Sequence, residues 1–408
     1  MSSFATAVTE WLMRRRTSLP RWMNRAMESV ARDPDAPLGR LASRLLGGNA
    51  TIAPTSVPDS AIRLYIAPTN YSGQAFAWAR AAEASDDRIS ARNIAVELPG
   101  GFRFPADTVV PIATVNASAT WAESEWDVAK QFTHVLVEAE RPMFGRRFDR
   151  DLAAEIAALQ EAGVSVAYLC HGTDIRNPDA HARRTRWSPY PEDPRTDVLR
   201  TDAEKNLALL KAVPLPTFIS TPDLLDDVPW ARWCPVVVDP TRFAAASAPF
   251  HGGTPVVMHA SSSAVQKGSH LIDAALLPLV EAQQIDYRLV TGAAAEDMPR
   301  IYAAADIVLD QFRLGSYGVA ACEAMAAGRV VVGHVLPSVR DRVRELTGLE
   351  LPILEATPDT LHDVVAGIIR DPALAAEIAA AGPEYVRAVH SGSASAQALI
   401  EGWIAPSR

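Results

Sequence analysis

The sequence predicts an α/β protein of two consecutive Rossmann-like units, and three features carry that expectation. A chain of 408 residues exceeds the usual size of one hydrophobic core. From residue 63 onward, short β-rich runs alternate with Ala-rich helical ones, the order of parallel α/β construction. That alternation breaks once, over residues 236–253, where Asp239-Pro240 and Gly252-Gly253 supply turn and linker chemistry, and then it resumes.

In chain order, strands are expected over 63–67, 93–97, 133–138, 164–170 and 217–220, with helical runs such as 75–82 and 151–162 between them. A second set follows at 255–259, 287–290, 306–310, 330–335 and 351–354, and residues 383–389 and 395–403 read as closing helices. The chain therefore divides into an arm and linker over 1–60, an N-terminal unit over 61–240, a C-terminal unit over 241–388 and a closing helix over 389–408.

Composition removes several classes of function. A net charge of -9 argues against nucleic acid as a partner, because phosphate-backbone binding needs a basic domain or stripe. No run approaches the roughly 20 apolar residues that span a bilayer. Cys170, Cys234 and Cys322 have no CxxC or Cys/His spacing, which speaks against a disulfide framework and a zinc site and for buried thiols. No metal is expected. The triplet Asp149-Arg150-Asp151 opens a helical run, where acids favour the N-terminus.

The first 50 residues differ from the rest. They hold eight Arg against four acids, with Phe4, Val8, Trp11, Leu12, Leu19, Trp22, Met23, Met27 and Val30 at helical spacing. Such a basic amphipathic arm suits either peripheral contact with a membrane or self-association. It lacks the apolar core and cleavage site of a secretory signal, so the expected address is cytoplasmic, with the inner face of the membrane as the place for any peripheral contact.

Chemistry concentrates in 306–328, which reads as a buried strand ending at Asp310, a loop with Gly315, Ser316, Tyr317 and Gly318, and an Ala-rich helix carrying Glu323. In open α/β sheets ligands bind beyond the carboxyl ends of the strands, and amides at a glycine-bearing helix start suit a diphosphate. Glu323, about one and a half turns into that helix, is placed to accept hydrogen bonds from vicinal ribose hydroxyls. Strand-loop-helix patterns are common, and a plainer reading makes the glycines turn formers and Glu323 an ordinary helix residue.

Three further runs deserve the same scrutiny. Upstream, the strand ending near Met258 leads into His259-Ala260-Ser261 and on to Lys267-Gly268, where an ammonium group is a compact charge for a diphosphate. In the first unit, 164–170 ends at His171-Gly172-Thr173-Asp174-Ile175-Arg176, and 63–67 leads into Asn70-Tyr71-Ser72-Gly73. A lone His at a strand end is more often structural than a ligand contact, and Gly73 can equally be only a turn.

Together these runs resemble the GT-B glycosyltransferases of the large retaining family 4 (glycosyltransferase group 1). The run Glu323-Ala-Met-Ala-Ala-Gly328 is similar to that family's E-A-M-A-x-G, and Asp310-Gln311 with Gly315-Ser-Tyr317-Gly318 is similar to a branch with D-Q and G-x-Y-G. The same branch carries patterns similar to His259-Ala-Ser-Ser, Lys267-Gly268-Ser269 and His171-Gly-Thr-Asp174-Ile-Arg176. The resemblance covers residues 63–381.

It implies two Rossmann-like domains facing across a cleft, beside the helical N-terminal arm, and transfer of a sugar from a nucleotide diphosphate sugar donor with retention. The acceptor would be a sugar, a lipid-linked sugar or a small molecule, with no cofactor beyond the co-substrate. Lys267 and His171 would then be catalytic. Gly73, Ser261, Gly315, Ser316, Tyr317, Gly318 and Glu323 would bind the donor, and Asn70, Tyr71, Asp174 and Arg176 would face the acceptor or cleft. Two positions depart from the family pattern: Ser261 stands where many relatives have Arg, and Gly315 where most have a first glutamate. These departures keep open an alternative, a non-catalytic GT-B protein that binds a nucleotide sugar or a partner enzyme.

Overall fold

The computed structural model describes residues 52–405 except 100 and 262, together with residues 36, 37, 39 and 40. Apart from those four positions, the basic arm over 1–50 lies outside the described residues, and with it the membrane and self-association readings. Among the described residues no helix is long and apolar enough to cross a membrane. The chain divides into two compact units, Met1–Leu169 and Cys170–Arg408.

A seven-stranded parallel sheet is formed by β1 (Ile62–Ala67), β2 (Ile89–Glu97), β3 (Thr108–Pro111), β4 (His134–Glu138), β5 (Ser165–Cys170), β6 (Thr217–Ile219) and β7 (Arg232–Trp233). Its strand order is β3-β2-β1-β4-β5-β6-β7. Central strands read as unbroken apolar runs because both faces are covered, and Leu64, Tyr65 and Ile66 of β1 are all fully buried. The sequence did not announce β3 and β7. The first is a four-residue edge strand ending on Pro111, a residue that edges tolerate, and the second pairs through two residues, too few to show a period.

Within the first unit, helix Gln74–Ser85 follows β1, and helix Leu152–Glu161 begins on Asp151, whose side chain accepts the Ala153 N–H at 2.9 Å. Glu125 is buried and accepts from the Tyr65 hydroxyl and the Thr55 amide, each at 3.0 Å. That pairing ties the Pro/Ser/Thr stretch before β1 to the core.

The second sheet has β8 (Val256–Ala260), β9 (Asp286–Val290), β10 (Ile307–Leu309), β11 (Val330–Gly333) and β12 (Leu354–Glu355), in the order β12-β11-β10-β8-β9, all parallel. The strand expected over 351–354 shifts to its last residue. Leu351 and Ile353 are buried in the core instead, and only Leu354 and Glu355 pair with β11.

The first closing helix is also corrected. Residues 383–389 are not a separate helix starting at Pro383, because Pro383 lies inside Pro372–Tyr385, which runs on into a π-helical turn over Val386–His390. Proline removes one amide donor, and the ladder recovers in the wider turn. The second closing helix is Ser393–Leu399, continued by a π-helical turn over Ile400–Ile404.

Helix Pro372–Tyr385 packs on helix Val319–Ala326 so closely that a Cβ on Gly382 would meet the Met325 carbonyl oxygen at 2.7 Å and its Cα at 3.1 Å. Backbone cannot yield as a side-chain tip can. Gly382→Ala is expected to lower unfolding free energy by about 1–3 kcal/mol. Gly367→Ala in helix Leu361–Arg370 meets open space and should raise it by about 0.5–1 kcal/mol. Urea denaturation of the two variants checks both signs.

Candidate functional site

Strand β10 is buried throughout, and the chain leaves its carboxyl end at Asp310, itself 4% exposed. The loop that follows turns on Gly315 in the left-handed region at φ 68, where a Cβ would stand 2.6 Å from Leu336 Cγ. Leu336 N–H donates to the Gly315 carbonyl at 3.0 Å, and Gln311 Nε2 donates to the Ser316 carbonyl at 2.6 Å. Gly318 is the extended N-cap of helix Val319–Ala326, with no atom within 4 Å of where its Cβ would be. The absence of a side chain there leaves the helix start open to close approach.

Lys267 closes the four-residue helix Ala264–Lys267, and its ammonium donates to the Ala260 carbonyl at 3.0 Å and to Asp310 Oδ1 at 3.3 Å. Its own carbonyl accepts the Phe312 N–H at 3.1 Å, which fastens the lysine to the loop beyond β10. Burial pushes the Asp310 carboxyl up, against the opposing pull of Lys267 and the Gly318 N–H. Ser261 lies on the same side. The Ser269 hydroxyl sits 3.1 Å from Ser261 Oγ and 3.0 Å from His259 Nε2, while His259 Nδ1 bonds the Leu309 carbonyl at 2.9 Å. Burial lowers His259 to about 4, so that ring is neutral near pH 7.

Glu323 is half-buried in helix Val319–Ala326. Burial raises its carboxyl to about 7, countered by a hydrogen bond from Tyr302 and the charges of Arg242 and Lys267. Tyr317 turns its side chain inward, with its hydroxyl 2.9 Å from that of Tyr385 and 3.3 Å from His390 Nε2, so it offers the site its backbone. Ser316 is 2% exposed.

After β5, Asp174 gathers the turn by accepting the His171 N–H at 2.8 Å and the Gly172 N–H. The His171 ring is half-buried. Arg176 is committed to Asp223, with Nη2 and Nε at 2.6 and 3.1 Å from Oδ2. Burial opposes the Arg176 charge, but the Asp223 carboxylate more than offsets it and drives the guanidinium pKa up.

Sequence reasoning passed over the residues that bind this region to the glycine loop. Arg313 donates to the Trp187 and Ser188 carbonyls at 3.0 and 2.9 Å and to Glu192 at 2.7 Å, and His181 Nε2 lies 3.1 Å from the Leu314 carbonyl. Their partners lie more than a hundred positions away, so no local spacing reveals them.

In the first unit, Asn70 caps the turn before helix Gln74–Ser85. Its Nδ2 donates to the Pro105 carbonyl at 2.9 Å and its Oδ1 accepts the Phe76 N–H at 3.2 Å. Gly73 has φ 75, and Tyr71 is 46% exposed. These three residues belong to one unit, and the other ten expected site residues, from His171 to Glu323, to the other. Within the second unit, Lys267 reaches the strand end that precedes Gly315 and Gly318.

The sequence matches no protein-family model and no curated protein. Solved structures do match. The sucrose-phosphate synthase of Thermosynechococcus elongatus is 14% identical over 82% of this chain and 96% of that one, with a TM-score of 0.54. Anabaena HepE in complex with UDP and glucose is 13% identical over 82% and 97%, with a TM-score of 0.52. Its complex with UDP-glucose is 14% identical over the same shares, with a TM-score of 0.51. At such identities the likeness is one of fold: parallel sheets of seven and five strands, consistent with the two Rossmann-like domains of the GT-B architecture.

Two measurements test this geometry. Gly315→Ala should cost about 1–2 kcal/mol for the left-handed backbone alone, plus the overlap with Leu336. In a Leu336→Ala background only the backbone cost should remain, which a double-mutant denaturation cycle resolves. Glu323 supplies a pH signature. Its folded value of about 7 against an ordinary 4.5 means that the folded state holds the proton longer, so its contribution is lost as pH rises through that window. Over the same window Glu323→Gln should therefore gain stability relative to wild type, read as a difference in Tm against pH.

Proposed function

We propose that this chain is a glycosyltransferase that moves a sugar from a nucleoside diphosphate sugar to a sugar, lipid-linked or small-molecule acceptor, with retention at the anomeric carbon. The observation that carries the proposal is the meeting of Lys267 with the carboxyl end of β10, whose glycine loop runs into an open helix start at Gly318. A lysine ammonium has three donors, and two are placed on Ala260 and Asp310, leaving a third for a phosphate oxygen. Loop and helix-start amides add donors with no side chain in the way.

In this reading the bond from the anomeric carbon to the diphosphate breaks as the acceptor oxygen bonds to that carbon. The acceptor proton passes to an oxygen of the departing phosphate, so no separate enzymic base is required. Lys267 and the loop amides stabilise charge that grows on the leaving group, which is electrostatic catalysis. His171 would touch the donor sugar or a phosphate. Glu323 would hold the ribose and Ser261 the diphosphate, Gly73 would meet the donor, and Asn70, Tyr71, Asp174 and Arg176 would serve the acceptor or cleft. The protein would act in the cytoplasm, with or without peripheral membrane contact through residues 1–50, and need neither metal nor cofactor.

The non-catalytic alternative rests on Ser261 and Gly315, which leave one cation and one carboxylate fewer than the family pattern. Gly315 has its own reason to be glycine, since the space a side chain would need belongs to Leu336. HepE holds UDP-glucose on a similar fold, which makes that compound the first donor to try.

Turnover with a panel of nucleotide sugars, measured beside thermal shift, decides between these readings. Lys267→Ala should lower turnover by about two orders of magnitude or more, measured below the Tm of the variant, which loses stability because Asp310 stays buried without its cation. A donor present at 100 times its Kd should stabilise the wild type by about 2.7 kcal/mol. Stabilisation without turnover on any acceptor would favour the non-catalytic reading, and neither effect would end both.

A further inference from the structure

The reading above leaves Asp310 unused, although it is a buried charged group at the site. It is 4% exposed at the end of β10, Oδ1 faces the Lys267 ammonium at 3.3 Å, and Oδ2 is buried with no hydrogen-bond partner among the described residues. The Gly318 N–H, the first amide at the helix start, is also turned to this carboxylate. This internal carboxylate thus engages both elements that the proposed function assigns to a diphosphate.

We propose that Asp310 is a positioning residue that stands in for the diphosphate when the donor is absent, holding Lys267 and the helix start together, and that it takes up a proton from solvent when a nucleoside diphosphate sugar binds. This rests on the proposed donor site. The physical argument is one of like charge. A diphosphate placed on the Lys267 ammonium and the loop amides brings two negative charges beside a buried carboxylate, which loses its share of that cation. Two anions in one desolvated site cannot both remain ionised without a large penalty, and the carboxylate relieves it by protonation. The protonated oxygen then has a donor of its own to offer, which suits an oxygen with no partner among the described residues.

No other group facing Asp310 can take over this role without leaving a distinct trace. Tyr302, on helix Met298–Ala303, and Cys322, on helix Val319–Ala326, both feel its charge and are pushed well up by burial, so both are neutral near pH 7. His259 on β8 is already neutral, and His334, which follows β11, is turned to Glu355 with Nδ1 2.7 Å from Oε1. Glu323 and His171 are the competitors, Glu323 because burial raises its carboxyl to about 7, and His171 because the proposed function sets its ring against the donor sugar or a phosphate, whose charge favours a protonated imidazole. The charge of Arg242 pulls the Glu323 carboxyl down.

The experiment is titration calorimetry of the full chain with UDP-glucose, whose phosphates do not titrate near neutrality, in two buffers of different ionisation heat at pH 7. ADP-, GDP-, CDP- and dTDP-glucose follow if UDP-glucose gives no heat. The expected result is a buffer-dependent heat corresponding to uptake of up to one proton, and donor affinity that falls as pH rises, approaching tenfold per pH unit. Asp310→Asn should bind at least as tightly with neither dependence, while Glu323→Gln should keep both. Binding with equal heats in the two buffers overturns the inference and leaves the donor site standing. Dependence that persists in Asp310→Asn gives the proton to another group, Glu323 or His171 according to which of Glu323→Gln and His171→Gln abolishes it, and also overturns the inference. No binding of any of the five ends the proposed function and the inference together. Should Asp310→Asn not fold, the wild-type buffer pair with Glu323→Gln and His171→Gln still decides: dependence kept in both variants supports Asp310, and dependence lost in either overturns it.

Discussion

A carboxylate buried at the end of a central strand must find a cation, and in this chain that requirement organises everything around it. Asp310 has Lys267, and to present its ammonium Lys267 needs a short helix that stops at once, which Gly268 allows at φ 81. A Cβ on Gly268 would reach Arg313 Cγ at 3.0 Å, so the same glycine makes room for the arginine that anchors the glycine loop. Removing one partner of such a pair is far costlier than never having made it, because the charge left behind stays buried. The site is therefore not an attachment to the fold. The strand end, the short helix and the loop hold one another in place through it.

The second constraint is closeness of backbone. Gly315 against Leu336, Gly318 with open space around it and Gly382 against Met325 set three different distances. One packs the loop, one exposes the helix start and one seats the helix from behind. Glycine serves all three for different physical reasons, and only the first involves a backbone that other residues avoid.

Much of this was legible in the sequence. Central strands such as β1 and β8 fell within a residue or two of expectation, because a parallel sheet covered on both faces forces an unbroken apolar run. The strand-loop-helix of the second unit was legible too, since glycine spacing marks it directly. What stayed hidden was whatever depends on distant partners or on very short pairing. Two-residue β7 carries no period, and Pro383 reads as a helix start until the π-helical turn after it shows how the ladder survives. Tyr317 stood in a run that suggests contact with a ligand, but its hydroxyl faces Tyr385 and His390, brought close by a helix some seventy residues on. Asp310 was visible as a strand end. Its pairing with Lys267 was not, because a spacing of 43 positions has no meaning until the sheet is assembled.

The three thiols hold a consequence of a more practical kind. Cys170, Cys234 and Cys322 are all buried and outside any disulfide, and burial alone pushes Cys234 well above its ordinary value. A thiol that neither ionises nor meets solvent does not react with alkylating reagents while the fold is intact. The native chain is thus silent towards maleimide chemistry, and a single cysteine introduced on either compact unit would carry a fluorophore or spin label with no background to remove.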